Sequence, residues 1–289
     1  MHMAKKDRSA GDQAEMTFFE HLDALRPHLV RGALALLGVA IAAFFFKEFI
    51  IDHLLFGPSR PDFPSNRALV WIGQLMGSTD YEAGFSDFHI INTRMAGQFN
   101  LQMTVSLISG LVVTIPYLSW ELWRFIRPGL TDYERRKASR FVLYVSLCFF
   151  AGLLFGYYVI TPLAVNFLAG WVASPEIVNM IDAGSYLKTV LTTSLACAVV
   201  FQLPILIYFL TRMGIVSALF LRKYRRHAII LLAVLSALIT PPDLMSMILV
   251  IIPLILLYEV SIKIAVKTER RKKEEELALS GASTEYPAL

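Results

Sequence analysis

Six long stretches of this chain carry almost no charge, and short polar, glycine-rich or proline-rich stretches separate them. They run approximately over 30–51, 99–122, 141–161, 189–211, 227–239 and 244–258. A helix rises about 1.5 Å per residue, so the first four reach or exceed the roughly 30 Å hydrocarbon core of a bilayer. The last two fall short. Arg226 and Pro241 are separated by fourteen residues, about 21 Å of helix, and the sixth stretch contains Pro253. Between the two lies Thr240-Pro241-Pro242-Asp243, whose prolines forbid a continuing helix and force a tight turn. The pattern predicts an all-α, polytopic membrane bundle of six transmembrane helices, with short helices five and six paired as a stubby hairpin.

The polar segments extend the reading. In TFFEHLDALRPHLVR (17–31), Phe18, Leu22, Leu25 and Leu29 recur at helical spacing, and Thr17 with Glu20 fits a capping box. This predicts an amphipathic helix lying along the interface, with Glu20, Asp23 and Arg26 on its polar face and Pro27 marking a bend into the first span. Residues 1–29 form an N-terminal segment and 1–266 a single transmembrane domain. Residues 52–98 form a long exterior loop that packs as a cap, and 267–289 a charged, disordered tail. Gly152 and Gly156, in GLLFG, are spaced for close helix packing, and Ala233 and Ala237 repeat that spacing.

Composition fits this picture: 56% of the 289 residues are hydrophobic and 17% charged, with mean hydropathy +0.56. Charge then orients the bundle. All but five of the 27 basic residues fall in the N-terminal segment, the loops after spans two and four, and the C-terminal segment. Lys47, Arg60, Arg67, Arg94 and Lys188 lie on or near the other side. By the positive-inside rule both termini are cytoplasmic. The first 29 residues are polar and amphipathic, so no cleavable signal is expected. Topology also explains the basic excess without nucleic acid. Cys148 and Cys197 each sit alone in an apolar run and read as small buried hydrophobes.

Enzymatic motifs are missing. The chain has no G-x-x-x-x-G-K-[ST] loop, no H-E-x-x-H and no G-x-S-x-G elbow. Its six histidines lie outside the spans or at their edges. No enzyme activity, metal or cofactor is expected, and energy must come from a partner or an ion gradient. One polar residue stands deep in an apolar run: Gln202, in VVFQLPIL, followed by the helix breaker Pro204. Its amide either bonds another helix of this chain or meets a second protein in the membrane.

A second constellation is SWELWRFIRPGLTDYERRK (119–137), which places Glu134 inside a basic cluster, where it adds nothing to orientation. Carboxylates near a membrane surface suit a cationic ligand, because they accept bidentate, charge-assisted hydrogen bonds from arginine. HLDALR, FIRPGLTDYERR, YYVITPLA, FQLP and LITPPD, in this order, resemble the TatC family of twin-arginine translocase subunits over roughly residues 16–266.

The resemblance implies a receptor of the bacterial cytoplasmic membrane that binds twin-arginine signal peptides and exports folded proteins on the proton gradient. The partners it implies are single-span TatA- and TatB-type subunits and further copies in a homo-oligomer. It assigns signal-peptide binding to Glu134 with Phe125, Pro128, Arg135 and Arg136. The family's N-terminal glutamate position is occupied by Ala24, so Asp23, beside Arg26, or Glu121 supplies the missing charge. Gln202 and Pro204 take the partner contact within the membrane, and Thr240, Pro241, Pro242 and Asp243 the structural turn. A small-solute transporter or channel using Gln202, and a membrane scaffold, are the alternative functions.

Overall fold

The computed structural model describes residues 18–75, 89–126, 138–171, 174, 176, 179–240 and 244–282. Its helices are α1 (Phe18–Phe45), α2 (Pro64–Leu75), α3 (Gly97–Ile126), α4 (Ala138–Phe155), α5 (Thr161–Gly170), α6 (Ala183–Val200), α7 (Leu203–Arg212), α8 (Ala218–Lys223), α9 (Arg225–Ile239) and α10 (Leu244–Ala282). Two short strands, β1 (His89–Ile91) and β2 (Met180–Asp182), pair in parallel. Among the described residues, five helical units are long and apolar enough to cross a membrane: Leu25–Phe45, Gly97–Phe125, Val142–Gly170, Ala183–Arg212 and Met247–Glu274. Helix α9 is only 15 residues, about 22 Å long, and is not among them.

Helices α1 and α3 form an antiparallel pair. Their contacts join 28 to 121, 32 to 118, 40 to 110 and 44 to 102. Gly110 sits so close to Ala40 that a Cβ there would lie 2.9 Å from its Cα. Helix α4 continues through a π-helical turn, Gly156–Ile160, into α5, and packs along α6. At Gly152 an added Cβ would stand 2.7 Å from the Cys197 carbonyl oxygen, and at Gly156 2.8 Å from Ser194 Cα. The small residues therefore let two backbones touch, which offsets the lack of a hydrophobic driving force between helices in lipid. Ala237 on α9 is exposed; the residue that packs instead is Ser236, fully buried, whose hydroxyl donates to the Met247 carbonyl at 2.8 Å. A second core joins α6 and α7 to α9 and α10 through Cys197, Ile207, Leu232, Val250, Leu254 and Tyr258.

Three expectations are corrected. Helix α1 runs unbroken through Pro27, so the amphipathic segment does not bend away from the first span. Proline removes a single intrahelical bond, and the packing of α1 along α3 keeps the helix in line. Thr17, and with it the capping box, lies outside the described residues. The sixth helix is not short: α10 spans 39 residues through Pro253. It absorbs much of the tail expected to be disordered, because Thr268 is buried and Glu269 Oε1 accepts the Ala218 backbone N–H at 2.7 Å.

At the end away from the basic loops, 49–75 folds onto the bundle. Asn66, fully buried, donates from Nδ2 to the carbonyls of Pro58 at 3.1 Å and Arg60 at 2.8 Å and accepts from Asn166 Nδ2 at 3.1 Å. Tyr186 donates to the Leu55 carbonyl at 3.0 Å, and Phe63 stacks on Tyr158 at 5.3 Å. This end is called the cap end below, and the opposite one the basic end.

Candidate functional site

Where α1 meets α3 at the basic end, one carboxylate collects four partners. Glu121 is 3% exposed. His28 donates from Nδ1 to Glu121 Oε2 at 2.5 Å, and Tyr117 donates its hydroxyl to Oε1 at 3.0 Å. Arg124 Nη1 lies 3.5 Å from Oε1 and Arg31 Nη1 3.6 Å from Oε2. Tyr117 and Arg124 are four and three residues from Glu121, so one face of α3 presents all three side chains. Phe125 closes the cluster with its ring edge-on to His28, centroids 6.2 Å apart. The Arg124 guanidinium also lies 4.9 Å from the centre of the Trp120 ring, a cation–π contact.

Burial and charge explain the geometry. A buried carboxylate is costly unless paired and hydrogen-bonded, and here a histidine and a phenol supply close hydrogen bonds. The two arginines stand farther off than the 2.7–2.9 Å typical of charge-assisted hydrogen bonds, and both side chains are nearly half exposed. They neutralise the carboxylate without locking onto it. Chemically, this is a preformed anion that already accommodates two guanidinium groups.

Of the expected binding residues, the structure brings Glu121 and Phe125 together. Arg26 is exposed on α1. Asp23 is a helical position of α1, but its side chain lies outside what is described, and so do Pro128, Glu134, Arg135 and Arg136 altogether. Sequence reasoning missed His28, Arg31, Tyr117 and Arg124 as members of the cluster. The spacing of Tyr117 and Arg124 around Glu121 was a readable signal; the approach of His28, 93 positions away, was not.

Farther into the bundle, the α6 helix ends at Val200 and α7 begins at Leu203, with Pro204 at the first turn of α7, a position that needs no N–H donor. The amide of Gln202, left at the break, donates from Nε2 to the Val145 carbonyl on α4 at 3.2 Å. Among the described residues its Oε1 has no hydrogen-bond partner. In the turn after α9, Thr240 is buried and bonded through both N–H and hydroxyl to the Ser236 carbonyl at 3.0 Å; Pro241, Pro242 and Asp243 lie outside the described residues.

Comparison with known proteins gives this arrangement its context. The model of the family "Sec-independent protein translocase protein (TatC)" matches residues 20–253. A TatC from Blattabacterium is 34% identical over 263 residues, covering 90% of this chain and 99% of that protein. TatCy of Bacillus subtilis is 32% identical over 264 residues, covering 91% and 94%. A crystal structure of the twin arginine translocase receptor TatC superimposes with a TM-score of 0.66 at 27% identity, over 86% of this chain and all of that one. Helical architecture, chain-long identity and superposition agree: the chain belongs to the TatC family, as a multi-pass subunit of the Sec-independent protein translocase in the bacterial cytoplasmic membrane.

Proposed function

We propose that this subunit is the receptor for twin-arginine signal peptides, that its basic end faces the cytoplasm, and that it recruits single-span TatA- and TatB-type subunits for export driven by the proton gradient. The Glu121 cluster carries the reading. Positions 24, 28 and 31 of α1 share a helical face by their spacing, and Glu121 meets that face at His28 and Arg31. The carboxylate that Ala24 cannot provide is thus contributed from α3. An incoming arginine pair displaces the loosely held Arg31 and Arg124 guanidinium groups and exchanges one set of cations for another, so the carboxylate is never left bare. Glu134, in the segment between α3 and α4, provides the second carboxylate, and Pro128, Arg135 and Arg136 of the same segment complete the assignment.

The test is crosslinking of a labelled twin-arginine peptide to the membrane-embedded protein, alongside export of a twin-arginine reporter. Glu134→Lys is expected to lower both by about tenfold or more, since a charge-assisted hydrogen bond contributes roughly 1.5–3 kcal/mol and 1.4 kcal/mol is tenfold. Unchanged crosslinking and export in that variant would remove Glu134 from the site.

Gln202 is the proposed contact to a partner's single span. Its Nε2 is occupied within the chain and its Oε1 is available, so it is suited to accept a hydrogen bond from a donor on the partner. Gln202→Leu is expected to leave signal-peptide crosslinking unchanged and to weaken partner crosslinking about threefold to thirtyfold, the span of an interhelical hydrogen bond worth roughly 0.6–2 kcal/mol. Normal partner crosslinking returns Gln202 to an internal role, holding α4 to the α6–α7 break.

A further inference from the structure

The cap end carries few cations, and two of them face the same cavity. Arg94 and Lys188 both line a cavity of about 630 Å³ between α3 and α6, inside the roughly 300–1,000 Å³ range of small-ligand sites. Neither side chain has an ion-pair or hydrogen-bond partner among the described residues, whereas Arg60 at the same end is bonded to the Asp52 carbonyl at 2.8 Å. The one carboxylate of the lining, Asp182, is engaged in accepting the Ser185 backbone N–H at 3.1 Å. The lining therefore carries two cations and one carboxylate.

Its walls divide by burial, with Arg94 and Lys188 exposed. Asn100, Thr104 and Thr192 continue the exposed polar lining, while Leu101, Val105 and Leu191 form a more buried apolar wall. From Asp182 to Thr192 the cavity follows α6 for ten residues, about 15 Å. Exposed cations beside a buried apolar wall match an amphiphile with an anionic head. The two cations also work against the positive-inside pattern of the rest of the chain, so topology does not account for them.

We infer that this cavity is a binding site for an anionic membrane phospholipid, its phosphate held between Arg94 and Lys188 and an acyl chain laid along Leu101, Val105 and Leu191. The headgroup lies at the cap-end interface, and the lipid fills the space that α3 and α6 leave open between them.

Native mass spectrometry of the full chain, stripped of lipid in detergent and titrated with phosphatidylglycerol, phosphatidylcholine or inorganic phosphate, tests the site. A basic residue near an anionic membrane surface contributes about 1 kcal/mol, close to fivefold. Arg94→Gln and Lys188→Gln are each expected to weaken phosphatidylglycerol binding about fivefold, and the double variant about twenty- to thirtyfold. Lys188→Arg is expected to restore binding, and Arg67→Gln, an exposed cap-end cation outside the cavity, to leave it unchanged. Equal binding of phosphatidylcholine would overturn the anionic reading. Binding of inorganic phosphate with the same dependence on both cations would assign the site to free phosphate instead. An equal loss in Arg67→Gln, or no loss in the double variant, would show diffuse surface charge and no site.

Discussion

Gly152→Leu is expected to lower stability by about 3 kcal/mol, the upper end of what overpacking costs, and to yield little folded protein. The cause is the identity of the atoms a side chain would meet. A Cβ at position 152 stands 2.7 Å from the Cys197 carbonyl oxygen, 2.7 Å from Phe201 Cβ and 2.8 Å from Ala198 Cα. None is the far end of a flexible side chain, so relief requires α4 and α6 to separate. Separation draws the Gln202–Val145 hydrogen bond apart and opens the backbone contact at Gly156. Gly38 supplies the contrast: nothing lies within 4 Å of its added Cβ, so Gly38→Leu is expected to change stability by less than about 0.5 kcal/mol. Thermal unfolding midpoints of both variants in one detergent measure the difference. Equal midpoints would mean that α4 and α6 are not in backbone contact.

Glu121→Gln is expected to reduce twin-arginine peptide affinity and reporter export by about tenfold or more, one charge-assisted hydrogen bond's worth, while the protein still folds. Glutamine preserves the shape and an acceptor for Tyr117 but removes the charge that offsets Arg31 and Arg124. In the variant those two guanidinium groups repel an incoming arginine pair instead of being exchanged for it. A purely anchoring role, with Glu121 holding α1 to α3 through His28, gives a different result: a lowered unfolding midpoint with unchanged peptide affinity. Measuring both quantities in Glu121→Gln and in His28→Gln separates the two roles. An anchor makes the substitutions agree in stability, whereas a receptor carboxylate makes Glu121→Gln the more damaging to affinity.

The two predictions rest on different kinds of information. Close packing at Gly152 and Gly156 was readable as a spacing, because small residues four apart lie on one helix face. Which helix they meet was not readable. Ala233 and Ala237 have the same spacing, yet Ala237 is exposed and Ser236 takes the buried position instead. Similarly, the family resemblance offered Glu121 as a source of the charge missing at Ala24, but its closest partner comes from another helix. Registry between α1 and α3 pairs 28 with 121, and no local pattern encodes registry between segments 93 residues apart.

Hydrophobic runs, their lengths and the placement of cations determined, from the sequence alone, the helical membrane class, the short fifth helix and the charge asymmetry. Those properties follow from transfer of individual segments into lipid, which depends on composition and length. The FIRPGLTDYERR and TPPD motifs carried the family as well. Tertiary structure decided the rest: that α1 continues through Pro27, that α10 extends its helix onto α8 through Glu269, that Gln202 bonds Val145, and that His28, Arg31, Tyr117 and Arg124 gather on Glu121. Each of these turns on a contact between segments distant in the chain, where a local preference for bending, fraying or solvation is outweighed by packing and pairing that exist only once the helices have met.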